Sequence, residues 1–174
     1  LARRGRGRRS AEQVAQSAIG WGEPVLASAI STSADGRLWY RGKDAVLLST
    51  SATLEDVAGL LWDTRPIRLD FPATGVHSLR LGLPPLPLML KVLAGEVEGD
   101  FPVAALSRSA ALLRAARLIA TVAGALTGVG QEQGQTLDVR LANAFGAPES
   151  ADFLRRALVL LADHELNAST FAAR

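Results

Sequence analysis

The chain has 174 residues, 48% hydrophobic and 21% charged, enough for one domain with a real core and ordinary for a globular protein. It has no cysteine, which excludes disulfides, thiolate chemistry and cysteine-based zinc sites and suits a reducing, cytoplasmic setting. The net charge of +2 misleads: Arg3, Arg4, Arg6, Arg8 and Arg9 supply five of the 19 basic residues, leaving 14 against 17 acidic ones, so the body is mildly acidic.

Residues 1–10, "LARRGRGRRS", read as a disordered basic linker, and residues 11–174 as the folded body. Contact of the arm with phosphates is the alternative, but no aromatic or further basic patch follows it. The first residue is Leu1 rather than Met, which is read as the mark of an upstream part. "SAEQVAQSAIGW" is weakly helical with Ser10 as its cap, and it holds no apolar core of a signal peptide. In "SAISTSADGRLWYRG" the Asp35-Gly36 pair stands between alternating segments, a strong hairpin signal.

"ATLEDVAGLLW" restarts helical spacing, with Thr53 as cap, Asp56 completing a capping box, and Leu54, Val57, Leu60 and Leu61 on one face. Prolines 66, 72, 84 and 85 break residues 63–85 into a connection. "LPLMLKVLAGEV" is a short, very apolar helix. Residues 107–127 form the longest helix, and its second half is apolar all round, which predicts burial on every side. Ala116, Ala120 and Gly124 recur along it, as in a central core helix or in one packed against its copy in a dimer.

Its longest uncharged run, Leu118 to Gln131, is about 14 residues, too short for a bilayer, so no membrane association is expected. "GVGQEQGQ" is a polar loop, and "TLDVRLANAF" is a helix that Thr136 starts and Gly146 stops. "ESADFLRRALVLLADHE" is the last helix. Six or so helices and one small β-hairpin make the fold class all-α.

The chain has two histidines. His77, in "ATGVHSLRL", has no acidic neighbour in sequence and reads as incidental. His164 continues a stripe of Phe153, Ala157 and Leu160 along the last helix, so it is expected to point inward at that helix's C-terminus, where the dipole favours a cation. A satisfied core histidine is the plain reading. Asp163, Glu165, Asn167, Ser169 and Thr170 gather around it, however, and polar groups at a buried end are costly unless paired or used. "HELNA" begins like a zinc-protease motif, but Ala168 stands at the second ligand position, so no metal site is expected. "GALTGVG" lacks the preceding strand and following Lys of a phosphate loop, and no serine sits in a nucleophile elbow.

"LVLLADHELNASTFAAR" closely resembles the citrate synthase segment LxLHADHExNxST. "ADGRLWYRGKDA" looks like that family's small hairpin and YRG segment, "SATLEDVAGLLW" like its next helix, and "RLIATVAGAL" like a dimer-interface helix. The resemblance runs in order over roughly residues 25–174. It implies the N-terminal portion of a citrate synthase-like helical large domain, with the rest of that domain and the small domain lying beyond. It also implies condensation of acetyl-CoA with oxaloacetate and then thioester hydrolysis, with acetyl-CoA as substrate, no other cofactor, and a homodimer.

By the same resemblance His164 binds oxaloacetate, Asn167 belongs to the same pocket, and Ser169 orients a catalytic histidine of the following segment. Leu161 stands where many members carry a further His. The family's acid/base histidines, catalytic aspartate and carboxylate-binding arginines come after this segment, so the chain alone is expected to be inactive. Some bacterial members carry an upstream DNA-binding domain joined by a basic linker, which "LARRGRGRRSAEQ" resembles. A citrate- or acyl-CoA-sensing module, or a plain helical interaction module, is the alternative, and nucleic acid would be met only through such an upstream domain.

Overall fold

The computed structural model describes residues 29–71, 84–97, 106–128 and 134–163. All of these except Ala29 lie in one unit, Ile30–His164. The expected basic linker and the helix after Ser10 fall outside the described residues.

The expected hairpin is present as β1 (Ser31–Ala34) and β2 (Arg37–Tyr40), paired antiparallel with Ser31 opposite Tyr40 and Ala34 opposite Arg37. Asp35 and Gly36 both take positive φ, 53° and 71°, as a two-residue turn matched to strand twist requires. The sheet has one strand more than expected. A second tight turn at Arg41 and Gly42 brings β3 (Lys43–Asp44) against β2, giving the order β1-β2-β3.

Asp44 ends this sheet and caps α1 (Ala45–Leu48), its carboxylate accepting from the Val46 and Leu47 N–H groups at 2.8 and 3.1 Å. The α2 helix (Leu54–Leu61) opens on the expected capping box, in which Asp56 N–H donates to Thr53 Oγ1 and Thr53 N–H donates to Asp56 Oδ2.

The core joins this sheet to the helices. Tyr40, Ala45, Val57, Leu61 and Val159 form its buried centre, with Ile30, Leu38, Leu48, Leu60 and Trp62 packed around them. Val159 belongs to α6 (Ala151–Leu160), so the last helix and the first sheet share one hydrophobic centre.

Before α6 come α3 (Pro85–Val97), α4 (Arg108–Thr127), α5 (Leu137–Ala144) and a 3-10 turn (Pro148–Ser150). Ser107 caps α4 through the Ala110 N–H. The α5 helix stops where expected. Gly146 takes φ 72° and donates to Asn143 O, while Ala147 N–H donates to Ala142 O, so two otherwise orphaned carbonyls are satisfied.

Two expectations about helix faces are corrected. The second half of α4 is not buried on every side. Ala120, Ala123, Gly124 and Thr127 make one covered stripe, while Leu118, Ile119, Val122, Ala125 and Leu126 are half-buried. Ala120 and Gly124 are thus covered within the chain itself. The whole of α4 has 20 residues and is, by length and composition, apolar enough to cross a bilayer, although its uncharged run alone is not. Its first half carries Arg108, Arg114 and Arg117, with Arg117 ion-paired to Glu96 at 3.6 Å, and charges are costly in hydrocarbon.

The second correction concerns α6. The expected inward stripe of Phe153, Ala157 and Leu160 is not the buried one, since Phe153 is 71% exposed and Leu160 37% exposed. Val159 points into the core, and Arg155, one turn before it, lies on the same side. The helix also ends at Leu160, so helical spacing cannot be carried through to His164.

Arg155 explains why a charged side chain sits on the inner face. Its guanidinium donates to the carbonyls of Ser49, Ala52 and Thr50, at 2.8, 3.0 and 3.1 Å, just past the C-terminus of α1. A cation there meets both the orphaned carbonyls and the negative end of the helix. Asp152 accepts from Arg155 on the solvent side. Arg156, next in sequence, is paired with Asp152 alone among the charged groups of the described residues and is half exposed.

The α2 helix is crossed closely by the chain that leaves it. Thr64 N–H donates to Gly59 O and Ile67 N–H to Glu55 O. A Cβ on Gly59 would come within 2.6 Å of Arg65 O and 2.8 Å of the Pro66 Cα. Because the obstructing atoms are backbone, Gly59→Ala is expected to lower thermal stability by about 2 kcal/mol or more, as overpacked sites do. Arg155→Ala is expected to cost about 2 kcal/mol and Arg156→Ala less than about 0.5 kcal/mol, compared by denaturant melts of the two variants.

Candidate functional site

The three residues singled out from the sequence, His164, Asn167 and Ser169, lie outside the described residues, as does His77. What the structure describes is the ground from which the ADHELNAST segment departs: Leu161, Ala162 and Asp163.

No glycine or proline stands between the start of α6 and Ser169, so nothing local dictates a stop at Leu160. The stop coincides with tertiary contacts. Tyr40, wholly buried at the end of the central strand, places its hydroxyl 3.0 Å from Leu160 O and 2.8 Å from Asp163 O. Its single proton is shared between these carbonyls, and its oxygen accepts from Asp163 N–H at 3.3 Å.

Ser31, opposite Tyr40 in the sheet, donates to Asp163 Oδ2 at 2.7 Å. The N–H, C=O and carboxylate of Asp163 are therefore all held by one cross-strand pair. Burial pushes the Tyr40 phenol above its usual range, with the hydrogen bond to Asp163 opposing and the Asp163 charge reinforcing that shift, so the hydroxyl stays protonated and able to donate.

A second polar group lies where α2 meets α5, and sequence reasoning missed it. Thr136 occupies the cap position of α5, as expected, but makes no side-chain cap bond. Glu55, buried on α2, supplies the acceptor instead: its Oε1 takes the Leu137 N–H at 2.8 Å. An anion at this end also meets the positive pole of α5.

Asp138 and Arg140, on the first turns of α5, are buried too. The Arg140 guanidinium lies 3.9 Å over the Phe71 ring and donates to Gly128 O, and burial draws its pKa down. Glu55 Oε2 and Asp138 Oδ1 have no hydrogen-bond partner among the described residues. The signal in the sequence was the pair of acids in the first turn of α2, of which only Asp56 serves the local capping box. Among the described residues no group of three His, Asp or Glu side chains is arranged to hold a metal ion.

Burial raises the Glu55 pKa. Hydrogen bonds from backbone N–H groups oppose the rise, and the Asp138 charge adds to it. A carboxyl with a raised folded-state value binds its proton more tightly in the fold than in the unfolded chain. Its contribution is fully present below the ordinary glutamate value of about 4.3 and is lost as pH rises through the raised one.

The described unit is a mostly helical assembly in which a small antiparallel sheet receives the last helix, the fold class the sequence implied. Residues 103–174 match the family model described as citrate synthase, C-terminal domain. That stretch, from the approach to α4 through Arg174, is similar to the citrate synthase family of acyltransferase-type enzymes, and the match covers 72 of the 174 residues. Comparison with curated proteins gave no match.

Glu55→Gln keeps an oxygen to accept from Leu137 N–H but cannot ionise. The melting temperature of the unsubstituted chain, relative to that of Glu55→Gln, is expected to fall as pH is raised above about 4.3. Parallel melting curves for the two proteins between pH 4 and 8 would contradict this assignment.

Proposed function

We propose that the protein takes part in condensing acetyl-CoA with oxaloacetate to give citrate and coenzyme A, and that this chain contributes the grip on oxaloacetate. The family match through ADHELNAST is the observation that supports the reading. In it, His164 donates a hydrogen bond to the ketone or carboxylate oxygen of oxaloacetate, which draws charge from the carbonyl carbon and makes it more electrophilic. Asn167 lines the same pocket. Ser169 orients a catalytic histidine from the segment that follows in the family.

Residues 11–174 then form the N-terminal part of the large domain, working as a homodimer in the cytoplasm. The half-covered flank of α4 is consistent with a second copy there. Acetyl-CoA is a substrate, and no other cofactor enters. The match is to a family of enzymes and adds nothing to the sensing or interaction alternative.

The chain alone has His77 and His164, too few acid/base groups for enolisation, carbonyl protonation and substrate clamping together. Mixed with acetyl-CoA and oxaloacetate it is expected to release no coenzyme A, followed with a thiol reagent, whereas the intact gene product releases it. Turnover by the 174-residue chain would overturn these roles. His164→Ala in the intact protein is expected to weaken oxaloacetate binding at least about tenfold, the loss of a charge-assisted hydrogen bond; unchanged binding would leave His164 structural.

A further inference from the structure

We infer that the contact of α2 with α5 is a proton-operated junction: Glu55 carries a proton while the two helices are docked, and Asp138 beside it holds the proton there. The junction stands independently of the function proposed above.

Hydrogen bonding and charge both call for that proton. Glu55 and Asp138 are 8% and 5% exposed. Glu55 Oε1 accepts from the N–H of Leu137, the residue before Asp138, so the two carboxyls stand at the same turn of α5. Each keeps one buried oxygen with no hydrogen-bond partner among the described residues, and so does Gln135, one place before the cap of α5. All three atoms are acceptors while the acids are ionised. A buried acceptor without a donor is costly, and two buried carboxylates of like charge cost more. One proton on Glu55 answers both needs, because it removes a charge and turns an acceptor into a donor.

The surrounding groups do not supply that balance. Arg140 is the one buried cation among the described residues, and it is engaged with Gly128 O and the Phe71 ring. Its charge offsets one carboxylate and leaves the second. On α2, Asp56 faces solvent in its capping box, and the segment that leaves the helix carries Asp63, Arg65, Arg68 and Asp70, all exposed. On α6, Asp152 binds Arg155 and Arg156, and Arg155 also binds the end of α1.

Burial first, and then the Asp138 charge, raise the Glu55 value against the opposing N–H bonds. Opening the junction hydrates Glu55 and returns it to the ordinary glutamate value of about 4.3. Opening is therefore hardest below that pH and grows easier as pH rises through the raised value. Acid locks the two helices together.

The test uses the full chain, isotope-labelled at its glutamate carboxyls, the Glu55 signal being the one that Glu55→Gln removes. The Glu55 titration midpoint is expected to lie above the usual glutamate range. It is expected to drop by about one unit in Asp138→Asn, which keeps the shape of the side chain and removes the like charge. Hydrogen exchange at the Leu137 amide needs no substitution. Its opening constant, corrected for the intrinsic rate, is expected to rise by up to about tenfold per pH unit from about 4.3 to the Glu55 midpoint and to level off above it. In Glu55→Gln it is expected to stay flat. A Glu55 midpoint that Asp138→Asn leaves in place would overturn the inference. So would a Leu137 opening constant independent of pH in the unsubstituted chain, which decides the matter if Asp138→Asn fails to fold.

Discussion

One phenolic hydroxyl at the end of the central strand joins two parts of the chain more than a hundred residues apart in sequence, and much of the described architecture follows from holding them together. Tyr40 is wholly buried, so its oxygen needs polar partners, and the end of α6 has polar groups that need the same. Each solves the other's problem. Arg155 does the equivalent one turn inside α6, filling the carbonyls that α1 leaves open. Between these two polar contacts Val159 drops into the core. The helix is thus fixed at both ends of a single apolar contact, which sets its rotation as well as its position.

This pairing of polar and apolar contacts explains what could be read from the sequence and what could not. Local chemistry was legible. Asp35-Gly36 demanded a hairpin, Thr53 and Asp56 a capping box, and Gly146 a helix stop, because in each case the partners lie within a few residues. The similarity of residues 103–174 to citrate synthases was legible in ADHELNAST, a stretch specific enough to stand without geometry.

The inner face of α6 was not legible. Hydrophobic spacing favoured Phe153 and Leu160 because they are large and apolar, and spacing of that kind gives no inner place to a charged residue. Three backbone carbonyls that receive the Arg155 guanidinium give it one. The end of α6 at Leu160 was hidden for a related reason: its stop signal is a tyrosine on another element. Thr136 illustrates the reverse error. It stands at the expected cap position of α5, yet Glu55 from α2 takes the bond, since a buried carboxylate can fill the same need from across the core.

Carbonyls and N–H groups, more than side-chain pairs, connect these elements. Tyr40, Arg155, Glu55 and Arg41, which donates to Leu61 O at 3.0 Å, each reach across to the backbone of another segment. A side-chain pair can be exchanged for another pair of similar shape, but a side chain bound to backbone recognises the path of the chain and not the residue on it. For Asp163, at the end of the described chain, the sheet does this. The hairpin lies at the opposite end of the described sequence from Asp163, and its register, set by a two-residue turn, governs where both Ser31 and Tyr40 meet that residue. A one-residue slip between β1 and β2 would turn Ser31 to the other face and free the carboxylate. The hold on Asp163 therefore depends on the turn at Asp35 and Gly36 as well as on Ser31 and Tyr40 themselves.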